Sequence, residues 1–190
     1  MYRFGFVLLT FSVFAVVSAA VLQNVDVTYQ DGRYELVVQS QLSAPREAVF
    51  DILTDYDQFG RISRTYTEYG FMDPTPDGTP VVYTTMEGCV LFFCKSMHRV
   101  EVVEIREPDF IRAVALPEQS DFRYAVSQWD LESRDGGTHI TYRLEVEPDF
   151  WVPPVVGPWI LKRRLESGGR RGVNRIERLA LENSALGLEH

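Results

Sequence analysis

An α+β fold, in which an antiparallel sheet is covered on one face by a long C-terminal helix, is predicted by three features of this 190-residue sequence. β-rich runs broken by short turn signals fill residues 65–147, and strands joined by such short connections are antiparallel neighbours. A short helical pattern precedes them. A long pattern with a single apolar stripe follows, and it must cover one face of the sheet. The length is that of one ordinary domain, and an apolar content of 45% is enough for a core.

The elements can be justified in order. Residues 1–20, "MYRFGFVLLTFSVFAVVSAA", run from Arg3 through an apolar stretch, Phe4 to Val17, into Ser18, Ala19 and Ala20. This is the layout of a secretory signal peptide, with Val17-Ser18-Ala19 fitting a cleavage site of small residues. The alternative is an uncleaved membrane anchor, because the run from Phe4 to Leu22 approaches spanning length. The expectation is export, to the periplasm, of a single domain spanning residues 21–185. Leu188-Glu189-His190 reads as the start of a purification tag and is left out of the domain.

"NVDVTYQDGRYELVVQSQL" alternates and breaks at Asp31-Gly32, as a first hairpin or strand would. In "SAPREAVFDILTDYDQF", Ser43 can cap, Pro45 suits a first helical turn, and Val49, Phe50, Leu53 and Tyr56 recur at helical spacing. Asp55 and Asp57 finish that helix and its turn. "DPTPDG", "REPD", "PEQSD" and "RDGG" then punctuate a strand meander. From Pro154 to about Asn183, Leu161, Leu165, Gly169, Val173, Ile176 and Leu179 repeat every three or four residues. This predicts a helix begun after Pro153-Pro154, with Pro158 as a candidate kink.

The order of these elements, with "SAPREAVFDILTDYDQF", "SQWDLESRDGGTHITYRLEVEP" and "WILKRRLESGGRRGVNRIERLA", resembles the helix-grip superfamily of START-like lipid carriers, polyketide cyclases and coenzyme-Q-binding proteins. The likeness spans residues 25–183. It implies a strongly curved sheet wrapped around the C-terminal helix, with a cavity between them for a hydrophobic ligand. It implies no particular reaction, because such folds serve carriers and enzymes alike.

Pairing residues 79–87 with 96–104 as a hairpin sets Cys89 opposite Cys94, Thr85 opposite His98, Tyr83 opposite Val100 and Val81 opposite Val102, all on one apolar face assigned inward. Thr84, Arg99 and Glu101 then face solvent. Carried across "REPD" and "RDGG", the same logic pairs Val102 with Ala113, Val100 with Ala115, Trp129 with Tyr142 and Leu131 with Ile140. Ala113, Ala115, Ala125 and Ser127 become an inward row of small residues, matched by Gly168, Gly169 and Gly172 on the helix. Small residues on both surfaces leave volume, or else close packing. The opposite row, Val114, Leu116, Tyr124 and Val126, is more apolar, so a bulge or register shift would reverse the assignment.

Cys89 and Cys94 face each other across a four-residue loop and are predicted to form a disulfide, which an oxidising compartment would preserve. Between them "VLFF" forms either an exposed knob for a membrane or partner, or part of the pocket rim. Lys162, Arg163, Arg164, Arg170, Arg171, Arg175 and Arg178 crowd the last helix, facing either anionic headgroups in a peripheral membrane contact or the acidic remainder of the domain. Without residues 1–20 the chain keeps 18 basic and 27 acidic residues, a net charge of −9, which argues against nucleic acid as partner.

No nucleophile elbow, zinc signature, phosphate loop or dinucleotide fingerprint is present, so no metal or cofactor is expected. His139 alternates outward to the surface. No catalytic residue is assigned; His98, placed inward beside Thr85, is a candidate general base. The expected function is binding, and transport, of a lipid, isoprenoid quinone or polycyclic aromatic. Tyr83, Val100, Trp129, Tyr142, Trp159 and Gly169 would line the cavity, with Thr85 and His98 near its mouth. The alternatives are an aromatase/cyclase-type enzyme and a protein-interaction module without a ligand.

Overall fold

Asp31 and Asp135 both adopt φ of 52°, and the glycines that follow them, Gly32 and Gly136, take 90° and 76°. Two successive left-handed residues make the tight turn whose twist matches that of antiparallel strands. These two Asp-Gly turns close the hairpins at either end of the chain, in a computed structural model describing residues 20–90, 93–152 and 157–187. The first joins β1 (Val21–Gln30) to β2 (Arg33–Leu42). The second joins β7 (Phe122–Arg134) to β8 (Gly137–Pro148). Between the two hairpins come helix α1 (Arg46–Thr54), a 3-10 segment at Tyr56–Arg61, and strands β3 (Tyr66–Met72), β4 (Val81–Val90), β5 (Phe93–Arg106) and β6 (Phe110–Ala115).

The eight strands form one antiparallel sheet in the order β1-β2-β8-β7-β6-β5-β4-β3. Pairing β2 with β8 brings the ends of the meander together, and bulges at Leu22/Asn24, Tyr66/Glu68 and Phe122/Tyr124 add local bending. The sheet is curved, and the long helix α2 (Pro158–Gly187) follows it, as expected for the helix-grip fold. Pro158 opens α2 rather than kinking it, which suits a residue without an N–H at the first helical position. Two strands precede α1, the first hairpin that the alternating pattern offered.

The main core gathers Leu42, Val49, Phe50, Leu53, Val103, Ile111, Leu131, Ile140, Ile176, Leu179 and Ala180. α1 and the C-terminal half of α2 therefore pack together over the sheet. Each of the Leu, Ile, Val and Phe side chains among them contributes about 1.5–3 kcal/mol by leaving water. A smaller cluster forms around Ala115, Phe122 and Ala125, with Met97, Val146 and Phe150 against it.

Ser43 does not cap α1. Its backbone N–H and its hydroxyl both donate to the Glu177 carboxylate, at 2.8 and 2.6 Å, tying the β2–α1 connection to α2. The Thr138 hydroxyl donates to the Ala44 carbonyl at 2.7 Å and ties the same connection to β8. Gly137 sits so close that a Cβ there would lie 2.0 Å from the Leu42 carbonyl oxygen, which only glycine permits.

The β4–β5 hairpin has the predicted register, with Cys89 opposite Cys94, Thr85 opposite His98, Tyr83 opposite Val100 and Val81 opposite Val102. Cys89 and Cys94 form the expected disulfide at its exposed tip. Leu91 and Phe92 of the "VLFF" stretch, the signal segment up to Ala19, Pro153-Pro154 and residues 188–190 lie outside the described residues.

The next hairpin departs from expectation. Val102 pairs with Val114, not Ala113, and Glu101 pairs with Ala115. The loop between Arg106 and Phe110 holds three residues, whereas the expected register needed four, and a one-residue slip exchanges the two faces of a strand.

Candidate ligand cavity

That slip decides which side chains meet. Reading across the sheet, Val103, Ala113, Ser127, Leu144 and Leu36 form one row and Ile111, Trp129, Tyr142 and Val38 the next. Both rows share the face on which Thr84, Arg99 and Glu101 stand. This face carries the main core, so it is the inner one. The expected inward row of Ala113, Ala115, Ala125 and Ser127 is buried on it. The solvent-facing assignment of Thr84, Arg99 and Glu101 is corrected: Thr84 is 1% and Glu101 2% exposed.

Tyr83, Thr85, His98 and Val100 consequently stand on the opposite face of the hairpin. Their expected place beside Trp129 and Tyr142 is corrected by the same slip. His98 Nδ1 lies 2.9 Å from the Thr85 hydroxyl, which itself donates to Glu68 Oε2 at 2.9 Å. The threonine oxygen is thus left to accept from His98 Nδ1–H. The His98 backbone N–H donates to Asp121 at 2.8 Å. This chain of bonds links β3, β4 and β5 and absorbs the histidine that sequence reasoning offered as a base. Val100 is buried, and Tyr83 is half-buried opposite Gly70, where a Cβ would come within 3.2 Å of both its ring and Asp57. His139, expected at the surface, is 8% exposed and its Nδ1 has no hydrogen-bond partner among the described residues.

The polar centre of the inner face is an ion pair. Arg99 Nη1 lies 3.4 Å from Glu101 Oε1, with both side chains largely buried. Tyr56 from the 3-10 segment, Tyr66 from β3 and Tyr142 from β8 are close enough to feel both charges. Burial raises the pKa of all three phenols, and the Glu101 carboxylate adds to the rise while Arg99 opposes it. Burial works against the Arg99 charge, but Glu101 and the three tyrosines more than offset this, and the guanidinium pKa is raised. The three phenols therefore stay protonated at neutral pH beside a fixed cation.

Two polar atoms here have no hydrogen bond. Glu101 Oε1 and Thr84 Oγ1 are buried without one among the described residues. Leaving a buried polar atom unpaired costs about 1–3 kcal/mol, so both are poised to bond a group that enters the space. The surrounding surface is aromatic or apolar: Trp129 and Tyr142 pack with ring centroids 4.1 Å apart and planes tilted by 34°, and Val38 and Leu144 flank them half-buried.

The N-terminal half of α2 lies against β1. Ile160, Leu161, Leu165 and Val173 are only half-buried, and a Cβ at Gly168 or Gly172 would meet nothing within 4 Å. Gly169 differs, since its Cβ would touch Leu22 of β1 at 3.9 Å. Trp159 stands in the first turn of α2, 65% exposed, under the Arg163 guanidinium at 4.5 Å. A separate pocket of about 550 Å³ opens at the turn between β1 and β2. It is lined by Tyr29, Tyr34, Arg123, Glu147, Phe150 and Pro158 among others.

Sequence reasoning missed Arg99, Glu101, Tyr56 and Tyr66. The available signal was the alternation "RVEVVE", residues 99–104, in which either parity can be buried, and it is read correctly only once the length of the next turn is known.

A family model described as polyketide cyclase / dehydrase and lipid transport matches residues 33–180, from the start of β2 to Ala180 in α2. The chain belongs to that family. Among solved structures it is similar to a START superfamily protein from Mycobacterium smegmatis, at 17% identity and a TM-score of 0.60, over 76% of this chain and 98% of that one. It is also similar to human STARD10, at 14% identity and a TM-score of 0.60, over 87% and 76% of the two chains. Zhui aromatase/cyclase from Streptomyces sp. R1128 matches at 13% identity and a TM-score of 0.60, over 80% and 96%. These likenesses establish the fold. No curated protein sequence gives a significant match.

Proposed function

We propose that the protein binds one hydrophobic small molecule, a lipid, an isoprenoid quinone or a polycyclic aromatic, between the inner face of the sheet and the N-terminal half of α2. The observation that carries this reading is the buried Arg99–Glu101 pair, with Glu101 Oε1 and Thr84 Oγ1 unbonded on a face otherwise built of small, apolar and aromatic residues. Apolar walls with a few convergent polar groups are what such a pocket needs. A carbonyl or phenolic oxygen would accept from Arg99, and a hydroxyl would donate to Glu101. Trp129, Tyr142, Val38 and Leu144 would line the apolar length of the ligand.

The family description and the lipid-binding and cyclase names among the similar structures agree with such a cavity. The disulfide and the absence, among the described residues, of a helix able to cross a membrane are compatible with export. Trp151 is 71% and Trp159 65% exposed, and Lys162, Arg164, Arg170 and Arg171 on the same helix as Trp159 form no ion pair among the described residues. They would serve a peripheral membrane contact.

A second reading, an enzyme of the aromatase/cyclase kind, is favoured by one observation: three protonated tyrosines surround a buried arginine. Such donors would stabilise an enolate oxygen developing on a polyketide-like substrate.

The test is a fluorescence titration in a Trp151→Phe/Trp159→Phe background, which leaves Trp129 as the reporter. Saturable quenching by a short-chain ubiquinone or a naphthol is expected, with affinity about tenfold weaker in Arg99→Met, equivalent to the loss of about 1.4 kcal/mol. No quenching by either ligand class would refute the binding site. Turnover of a polyketide-like substrate, abolished in Tyr142→Phe, would decide for the enzyme.

A further inference from the structure

Among the described residues Glu177 is, after Glu101, the second buried carboxylate, and the proposed ligand site does not use it. It is 7% exposed, lies in the well-packed half of α2 between Ile176 and Leu179, and forms no ion pair with an arginine, lysine or histidine among the described residues. One oxygen, Oε1, accepts both donors of Ser43. The other, Oε2, accepts the backbone N–H of Ala20 at 2.5 Å. A buried anion held by neutral donors alone is an expensive arrangement, because carboxylates in such places are normally matched by a cation.

Ala20 is the residue that follows Val17-Ser18-Ala19. It is also 9% exposed and belongs to the main core, directly before β1 begins. Its nitrogen is therefore the one atom of the chain that is both clamped by Glu177 and placed to become a free amine if the leader is cut after Ala19.

We propose that Glu177 is the receptor for the α-ammonium of Ala20, and that the mature chain begins there. A leader-removing endopeptidase hydrolyses the Ala19–Ala20 amide. Water gives its hydroxyl to the Ala19 carbonyl, leaving a carboxylate on the leader, and the Ala20 nitrogen gains the protons that make it an ammonium. The cut is made on the extended chain before folding, and folding then buries the new cation against Glu177 Oε2. Processing thereby converts a bond from a neutral amide to a carboxylate into one between two opposite charges. The pair fastens the start of β1 to α2, the two elements in contact where Leu22 meets Gly169.

The chain of residues 1–190, expressed with its own leader in an exporting bacterium, is analysed by intact mass and N-terminal sequencing. Ala20 as the first residue is expected; a retained Met1 or a start at Val21 overturns the proposal. The mature protein is then compared with one carrying Gly-Gly before Ala20. The extension should lower Tm by about 3–6 °C, the scale of losing the donor's charge from that bond in a chain of this size. Glu177→Gln should abolish that difference. An unchanged Tm on extension, or a difference that survives Glu177→Gln, overturns it. Should Glu177→Gln not fold, the rate of acylation of the α-amine decides in the unaltered mature protein. Reaction at least tenfold slower than in urea is expected, and equal rates contradict a buried, paired amine.

Discussion

Arg99 holds its guanidinium 3.4 Å from the Glu101 carboxylate, two residues along the same strand, on a face of the sheet that packs an apolar core. Charges at positions i and i+2 of a strand share a face, so neither can escape burial without turning the whole strand over. Their mutual attraction makes the burial tolerable, and the unbonded Glu101 Oε1 keeps the pair incomplete.

Removing one partner should therefore be worse than removing both. Arg99→Met alone leaves Glu101 as an unmatched buried charge and is expected to lower stability by about 3–5 kcal/mol in urea unfolding. The double variant Arg99→Met/Glu101→Leu should recover most of that loss. A double variant as unstable as the single would show that the pair stabilises the fold on its own account.

The raised tyrosine pKa values make a pH prediction. A phenol whose folded pKa lies above its unfolded value of about 10 keeps the stability associated with its neutral form below pH 10 and loses it as pH climbs through the folded value. Tyr56, Tyr66 and Tyr142 are three such groups, so unfolding free energy should fall steadily above pH 10. Ultraviolet titration of tyrosinate in the folded protein should show a late component, and Tyr142→Phe should reduce it. Unaltered late amplitude in that variant would mean that the phenol is not where burial holds it.

Cys89 and Cys94 are five residues apart, which closes a very short loop. Chain entropy gives such a bridge about 2 kcal/mol at most. Cys89→Ser/Cys94→Ser should accordingly leave a folded protein whose unfolding free energy is lower by about 1–2 kcal/mol, with ligand binding kept. A loss of binding in that variant would assign the hairpin tip to the site.

Gly172 should accept a side chain. Nothing lies within 4 Å of its missing Cβ, and alanine gains about 0.5–1 kcal/mol over glycine inside a helix. Gly172→Ala is expected to raise stability by that amount, whereas Gly172→Trp should fold but take up less ligand. Unimpaired uptake by Gly172→Trp would place the ligand away from this part of α2.

Much of this architecture was legible in the sequence because local chemistry and global fold agree there. The two Asp-Gly turns, the register from Cys89–Cys94 to Val81–Val102, the Trp129–Tyr142 pair and the apolar stripe of α2 each follow from turn residues or periodicity. The site was read less well. Its key residues depend on the length of the turn at Glu107-Pro108-Asp109, and a single residue there moved Arg99 and Glu101 inward and Tyr83, Thr85, His98 and Val100 outward. Because Val100 and Val103 are both buried, hydrophobicity alone could not choose between the faces. Tyr56 comes from the 3-10 segment outside the meander and Tyr66 from β3, two strands away from β5, and only tertiary packing brings them to Arg99.

The most direct test of ligand binding at this centre is mass spectrometry of the purified protein, first under native and then under denaturing conditions, alongside Arg99→Met/Glu101→Leu. A complex that releases one hydrophobic compound on denaturation, and is depleted in the double variant, is the predicted result. Wild-type protein that carries nothing, and takes up neither lipid, quinone nor polycyclic aromatic when these are supplied, would contradict the account.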